Sequence, residues 1–440
     1  MILLWIAVSA VEIDRYVRTE MELNHLPGLA LAVVREGAVE TRAFGVKSLA
    51  TGEAMTVDTP VELASVSKSF TALAVMRLGV ELDRPVVRYL PEFSLDARIR
   101  VRHLLQHTSG LARADDFLVP CCGRPGEFNL GLAVRRIGGA RLRRAPGEAF
   151  RYANSNYVLL AAVVERVSGQ PFPAYMRSQV FEPLGMTRTT VEEVKARATP
   201  HEWQWGRMQV SPSRFSGWYG ASMVKSTARD MGRYLAALPA SGWWTKPKPP
   251  VYDMGWFLQP KAEWLKGTPV LEHTGDIWGG NTAVVVAPEL RLGVAVLING
   301  GTNRAGPIAR GVLRQLAGLP APVPRTMRRV DNPDFWAMCF AAAAGVILVG
   351  VVAYGMRVRR QFVRGEHCFV RSGWAVARAV VLAAMAGCLV FLLGSDVTPP
   401  LAAYPATVKM TLPALVVATA LLLLGGAISG LAGTQRTVRD

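Results

Sequence analysis

At 440 residues the chain is long enough for one full core, and length alone allows two or three folding units. Half of it is hydrophobic and its formal charge is +17. Much of the arginine excess flanks long apolar runs near the C-terminus, and no zinc-finger, RNA-recognition or basic-zipper pattern occurs, so the charge does not mark a nucleic-acid partner. Of the five cysteines, Cys339, Cys368 and Cys388 lie in the apolar C-terminal part. Cys121 and Cys122 are adjacent in a loop-like C-C-G-R that lacks metal-ligand spacing, with a vicinal disulfide as a minor alternative. The pattern excludes a disulfide framework.

In chain order, the opening MILLWIAVSAVE has an apolar centre and a small-x-small ending but no basic leader. Residues 1–12 read either as the remnant of a signal peptide or as a short buried segment. GLALAVVREGAVETRAFGV, residues 28–46, predicts two strands joined at Arg35-Glu36-Gly37. SFTALAVMRL is apolar nearly all round, the mark of a buried helix. Near residue 300, NTAVVVAPELRLGVAVLING predicts two more strands around a Pro-Glu turn, and a helix follows from Arg304 to Ala317. Strands at both ends and helices between them predict one α/β-type (α+β) domain over residues 13–317 whose ends share a sheet.

Residues 318–334, rich in proline and arginine, read as a linker. The stretch 335–356 then carries no charge and, as a helix, reaches about 33 Å, enough to cross a bilayer. A second span is predicted over 374–394, with Arg378 near one end where it can snorkel to the headgroups. A third runs over 411–433 and includes Gly426-x-x-x-Gly430, a spacing that lets helices approach closely and could serve a homo-oligomer or a transporter partner. Arg357, Arg359, Arg360, Arg364 and Arg371 lie between the first two spans, and Arg436 and Arg439 in the tail 434–440. Arg325, Arg328, Arg329 and Lys409 lie on the other side. This excess orients the loop and C-terminus to the cytoplasm, with the N-terminal domain outside a multi-pass inner membrane.

Three short elements carry chemistry. In VELASVSKSF, residues 61–70, Ser65 and Lys68 stand at i and i+3 of a helix start and share a face, whereas Ser67 and Ser69 diverge from the lysine. One such Ser-x-x-Lys match arises by chance about once in a chain of this size. A serine hydroxyl needs a base or cation to lose its proton, and a desolvated lysine can serve. In RYANSNYVLL, Tyr152 and Asn154 at i and i+2 project together, a phenol that can act as base and an amide that can bind a carbonyl. Taken singly, Tyr152 reads as a half-buried tyrosine and Asn154 as a helix N-cap. In LEHTGDIWGGNT, His273-Thr274-Gly275 reads as an edge strand before a turn, where glycine admits a close approach and a free N–H can serve an oxyanion hole. His25, His103, His107, His201 and His367 read as structural or surface residues.

The order S-x-x-K, Y-x-N, H-x-G resembles the class C β-lactamase family, which also includes D,D-peptidases, D-aminopeptidases and esterases. Supporting stretches run along some 300 residues: VRHLLQHTSGL, VFEPLGMTRTT, KSTARDMGRYL and VYDMGWFL. The resemblance implies a serine β-lactamase/penicillin-binding-protein-like fold, an antiparallel sheet with a helical region. It implies Ser65 as acylated nucleophile, Lys68 as its proton-handling partner, Tyr152 as general base and Asn154 as the amide that orients substrate. His273, Thr274 and Gly275 would line the strand along which substrate lies, and the N–H groups of Ser65 and Asp276 would form the oxyanion hole. No metal or cofactor is required. Penicillin-directed members often carry lysine where His273 stands, and histidine is mostly neutral at pH 7, so weak β-lactam turnover is expected. The chain is also a few residues shorter around LGVELDRP.

With three spans behind such a domain, the layout resembles the membrane-anchored prodrug-activating peptidases of non-ribosomal peptide and polyketide pathways, typified by the colibactin-maturing peptidase. ELASVSKSF, YANSNYVLLAAVVE and MGWF carry that resemblance. It implies removal of an N-acyl-D-amino-acid cap from a small-molecule or peptide precursor, with Glu62 meeting a polar group of the substrate or serving as a surface or helix-capping carboxylate. The alternatives are a cell-wall D,D-peptidase or esterase, and a catalytically silent membrane sensor or binding module. The orientation is testable. Protease added to spheroplasts should degrade the domain of residues 13–317, and its protection would overturn the topology.

Overall fold

The computed structural model describes residues 2–119, 129–204, 207–211, 218–238 and 251–326, with single positions between 339 and 364. Two units divide the chain, Met1–Trp203 with Arg207–Arg328, and Gln204–Gly206 with Arg329–Asp440. The elements below belong to the first.

Strands β1 (Gly28–Arg35) and β2 (Ala38–Gly45) form the expected hairpin. Glu36 and Gly37 in its turn both take positive φ, 50° and 85°, which matches a two-residue turn to the twist of its strands. Strands β7 (Tyr252–Asp253), β8 (Trp256–Ala262), β9 (Thr268–Ile277), β10 (Gly280–Ala287) and β11 (Leu292–Ile298) come from the other end of the domain. The sheet order is β2-β1-β11-β10-β9-β8-β7, with its pairs antiparallel, so the two ends do share one sheet as predicted.

Both faces of that sheet are covered, and the period of two sorts its residues. Leu29, Leu31 and Val33 join one core with Ala283, Val285, Val294 and Val296, while Ala30, Ala32 and Val34 join the other with Val284, Val286, Ala295 and Leu297. The first core is closed by helices α1 (Ile2–Leu23) and α8 (Ala305–Leu316), through Ile13, Tyr16, Val17 and Met21 against Ile308, Ala309, Val312 and Leu313. Helix α1 runs unbroken through the expected boundary at residue 12, and the side chains of residues 1–10 lie outside the described residues.

The second core belongs to the helical region. It holds β3 (Val61–Glu62), α2 (Ser67–Arg77), α3 (Val101–Leu105), α4 (Leu130–Gly138), α5 (Asn154–Ser168), α6 (Phe172–Tyr175), β6 (Lys225–Ser226) and α7 (Ala228–Ala237). Strands β4 (His201–Gln204) and β5 (Arg207–Val210) lie between α6 and β6 in sequence. Helix α2 is buried along most of its length, as its all-round apolar sequence requires.

Among the described residues no helix is long and apolar enough to cross a membrane. The stretches 335–356, 374–394 and 411–433 lie outside the described residues, apart from isolated helical positions in the first such as Cys339, an exposed free thiol. Cys121 and Cys122 also lie outside them.

Two glycines set where α2 begins. A Cβ on Gly275 of β9 would stand 2.6 Å from Thr282 Oγ1 and would overlap the Leu63 carbonyl. One on Gly255, in the β7–β8 turn at φ 84°, would overlap the backbone of Ser69. The start of α2 is therefore pressed against bare backbone on both sides. Gly275→Ala should destabilise the domain by about 1–3 kcal/mol, read as a lowered Tm. An unchanged Tm would mean that the turn can retreat.

Candidate active site

The segment from β3 to α2 passes through a short 3₁₀ turn, Ala64–Val66, and Ser65 is its middle residue. Ala64 takes φ 48°, a left-handed backbone that costs a non-glycine residue of order 1 kcal/mol and is held by its surroundings. The Leu63 carbonyl accepts from Thr282 Oγ1 of β10 at 2.8 Å, the Leu63 N–H donates to Val224 O at 2.8 Å, and Val224 N–H donates to Ser67 Oγ at 3.0 Å. These bonds tie the turn to the sheet on one side and to the strand before α7 on the other. Ser67 and Ser69, whose Oγ bonds Val66 O, are thus occupied, as their divergence from Lys68 predicted.

Lys68 is fully buried. Its Nζ lies 3.0 Å from Ser65 Oγ, 2.7 Å from Asn154 Oδ1 and 2.9 Å from Ala221 O. Burial holds its pKa well below the ordinary lysine range; the charge of Asp116 opposes that shift and Arg113 adds to it. The Tyr152 ring centre is 4.9 Å from Lys68 Nζ. Burial pushes the Tyr152 phenol up, against the pull of the neighbouring Ser65 hydroxyl and of Arg113. The structure thus brings Ser65, Lys68, Tyr152 and Asn154 together from two stretches of chain.

Asn154 is not an N-cap. Ala153, extended at φ −144°, holds that place, and Asn154 is the first helical residue of α5. The capping acceptor is Asp116, from the 3₁₀ turn Arg113–Leu118, whose Oδ1 takes the Ser155 N–H and Ser155 Oγ–H, each at 2.8 Å. Its Oδ2 accepts from Asn154 Nδ2 at 3.0 Å. Asp116 stands in no motif, and nothing in the sequence singled it out.

His107, read as a structural or surface histidine, is structural. It is buried, with φ 54°, and its ring packs on Tyr152 with centres 4.4 Å apart and planes tilted by 35°. Its Nδ1 accepts the Ala153 N–H at 3.3 Å, and its carbonyl accepts the Arg151 N–H at 2.7 Å. The backbone on both sides of Tyr152 thus hangs on one histidine, which burial keeps neutral. The available signal for that role was its place in VRHLLQHTSGL, one of the family-like stretches.

On β9 the side chains alternate. His273 and Gly275 face the nucleophile turn, whereas Thr274 lies beside Gly306 of α8 and Asp276 bonds Asn281, whose Oδ1 caps the Ala305 N–H of the same helix at 2.6 Å. Thr274 and Asp276 border the site through backbone, not side chain. The strand is not an edge strand along its length, for β10 pairs it on one side and β8 as far as Glu272 on the other. His273 is buried, with Nδ1 2.7 Å from Thr274 O and Nε2 3.1 Å from Tyr252 Oη. The carbonyl can only accept, so Nδ1 carries the proton and Nε2 accepts from the tyrosine. Burial lowers His273 to about 3.

Glu62 is neither a surface nor a capping carboxylate. It pairs in register with Lys225 of β6 and lies 3.7 Å from Arg197, in a cluster that also includes Glu193. Burial raises its carboxyl against the pull of Arg197 and Lys225. Among the described residues no group of three or more His, Cys, Asp or Glu could hold a metal ion.

Residues 13–318 match a family model described as Beta-lactamase. The chain belongs to the beta-lactamase family. That family is one of serine hydrolases. Protein flp of Staphylococcus aureus (strain N315) is 24% identical over 322 residues, covering 66% of this chain and 63% of flp. The chain therefore spans less than two thirds of that relative. Esterase EstB of Burkholderia gladioli is 36% identical over 203 residues, 41% of this chain and 51% of EstB. Among solved structures, the octameric penicillin-binding protein homologue from Pyrococcus abyssi superposes with a TM-score of 0.62 at 23% identity, covering 76% of this chain and 81% of its own. The beta-lactamase/D-alanine carboxypeptidase from Pseudomonas syringae gives 0.60 at 21%, covering 72% of this chain and all of its own. Both share the fold.

The neutrality of His273 has a measurable sign. Its folded pKa, about 3, lies below the unfolded value of 6.5, so the unfolded chain binds the proton more readily and the stability His273 contributes is lost as pH falls from about 6.5 toward 3. Thermal melts of His273→Gln should show a shallower dependence over that window than wild type, and identical slopes would place the histidine in water.

Proposed function

We propose that the domain hydrolyses acyl compounds through an acyl-Ser65 intermediate. The observation that carries this reading is the environment of Lys68 Nζ. Two of its neighbours, Asn154 Oδ1 and Ala221 O, can only accept, so in a neutral amine they take both N–H bonds and turn the lone pair toward the Ser65 hydroxyl. Burial favours the neutral amine and disfavours the phenolate of Tyr152, so Lys68, rather than Tyr152, takes the proton as Ser65 Oγ bonds the acyl carbon. Lys68 then passes that proton on through the Tyr152 hydroxyl, which gives its own proton to the departing group as the bond to the acyl carbon breaks and takes the one from Lys68, so that no phenolate is left. Water then adds to the ester, the acid leaves, and Ser65 regains its proton. Asn154 and the backbone of β9 position the substrate, and the N–H groups of Ser65 and Asp276 serve the developing oxyanion.

For the substrate we favour an N-acyl-D-amino-acid cap on a secondary-metabolite precursor such as a non-ribosomal peptide, cleaved by a membrane-anchored enzyme whose catalytic domain lies outside the cytoplasm. The family-like stretches around Ser65 and Tyr152, the uncharged runs after residue 334 and a neutral histidine in the third motif support this. A second reading, a simple esterase, is favoured by the likeness to EstB, and a D,D-peptidase remains the cell-wall variant.

The test follows hydrolysis of N-acyl-D-amino-acid amides, D-Ala-D-Ala peptides and short-chain esters by mass spectrometry, using membranes that carry wild type or Ser65→Ala. Cleavage of the N-acyl-D-amino-acid amides, lost in the variant, is the expected result. Ser65-dependent turnover confined to esters or D-Ala-D-Ala peptides would move the enzyme to the second reading. Cleavage that survives Ser65→Ala would overturn the mechanism.

A further inference from the structure

The lone-pair argument holds only while Asn154 presents its oxygen to Lys68. A carboxamide has two faces of nearly identical shape, and the reversed one would offer Nδ2–H to the amine and occupy the lone pair that Ser65 needs. Lys68 does not fix the choice, since a neutral amine can donate to an oxygen or accept from a nitrogen. The group at the other end of the amide must therefore fix it. That group is Asp116, whose Oδ2 is 3.0 Å from Asn154 Nδ2 while Asn154 Oδ1 is 2.7 Å from Lys68 Nζ.

We propose that Asp116 is a positioning residue of the reaction, whose acceptor-only carboxylate locks the Asn154 amide and so turns the Lys68 lone pair toward Ser65. The proposal rests on the Ser65–Lys68 reading above. Asp116 and Asn154 are both buried; burial pushes the Asp116 carboxyl up, and its three donors, Ser155 N–H, Ser155 Oγ–H and Asn154 Nδ2–H, together with Lys68, pull it back toward the ionised, acceptor-only form. The same two bonds to Ser155 hold the N-terminal turn of α5, so one side chain sets both the helix start and the amide orientation. A capping role alone would need only Oδ1. The bond from Oδ2 to Asn154 links it to the chemistry.

The carboxylate acts on proton affinity as well. Charged and titratable groups face Lys68 from each side: Asp116 and Arg113 on the 3₁₀ turn, His107 ahead of it, Tyr152 before α5, Tyr157 on α5, which burial keeps protonated, and His273 on β9. His107 and His273 are neutral and Arg113 repels the ammonium, so among these Asp116 is the one that favours the protonated lysine. It also disfavours the phenolate of Tyr152. Removing its charge therefore moves the acid limb of activity to lower pH, whichever of the two takes the proton.

The experiment measures the rate at which a fluorophosphonate labels the active-site serine, from pH 4 to 9 (about five units), in the full chain. Loss of labelling in Ser65→Ala checks the underlying reading by itself. Labelling that survives in that variant would overturn that reading and this proposal with it. In Asp116→Asn, which keeps the shape but can both donate and accept, the rate should fall about tenfold to a hundredfold per folded molecule, with the acid limb displaced downward. Asp116→Ser, whose hydroxyl can still cap α5, should behave alike if the first variant folds poorly. A variant with lowered Tm but an unmoved pH profile and an undiminished rate per folded molecule would reduce Asp116 to a helix cap and overturn the proposal.

Discussion

A lysine amine with no exposure to water is the constraint around which this domain is arranged. Leaving an ammonium in such a place without partners costs several kcal/mol, so the fold must either supply acceptors or strip the proton. It does both. Three oxygens surround Nζ, one each from the nucleophile turn, the start of α5 and the segment before β6, and each belongs to a different piece of the chain. Bringing them within 3.0 Å of one atom fixes the relative positions of those pieces more tightly than apolar packing, which has no direction.

The glycines at the start of α2 follow from the same constraint. Lys68 can reach Asn154 and Ala221 only if α2 starts deep against the sheet, and no side chain can stand between its first turn and β9. The left-handed Ala64 is the local expense of making that approach, borne where the chain must turn sharply from β3 into the helix.

The sequence made the strand-rich ends, the shared sheet and the pairing of Ser65 with Lys68 legible, because those features repeat with the period of a strand or a helix. GLALAVVR alternates between two cores in the folded domain as a strand covered on both faces must. What remained hidden depends on contacts between segments far apart in the chain. Asp116 is one aspartate of an Asp-Asp pair in a loop, and its partner 38 residues on is visible only in three dimensions. His107 is structural, as read, and only its contact with Tyr152 stayed hidden. Glu62 was read as substrate-facing, surface or capping from its three-residue distance to Ser65, but distance along the chain gave no hint of Arg197 and Lys225 beside it. The side chains of Thr274 and Asp276 point away from the nucleophile for the plainest reason, the alternation of a strand, which a motif written as letters conceals.

The sheet pairs β1 with β11, residues Leu29 with Ile298, across nearly the whole domain. Such a pairing cannot form while the chain is still emerging, because its second half is synthesised some 270 residues after the first. The hairpin of β1 and β2 must wait with one open edge, and the core of the helical region from Val61 to Ala237 waits with it, because Val284, Val286, Ala295 and Leu297 of the later strands complete that core. Ser65, Lys68, Tyr152 and Asn154 lie in that earlier part, and His273 and Gly275 arrive only with the later strands. Thr282 of β10 and the bare backbone at Gly275 and Gly255 hold the turn from which the lysine reaches its acceptors. Ser65 and Lys68 must therefore wait for the later strands, and the candidate site is completed at the last step of the domain's assembly.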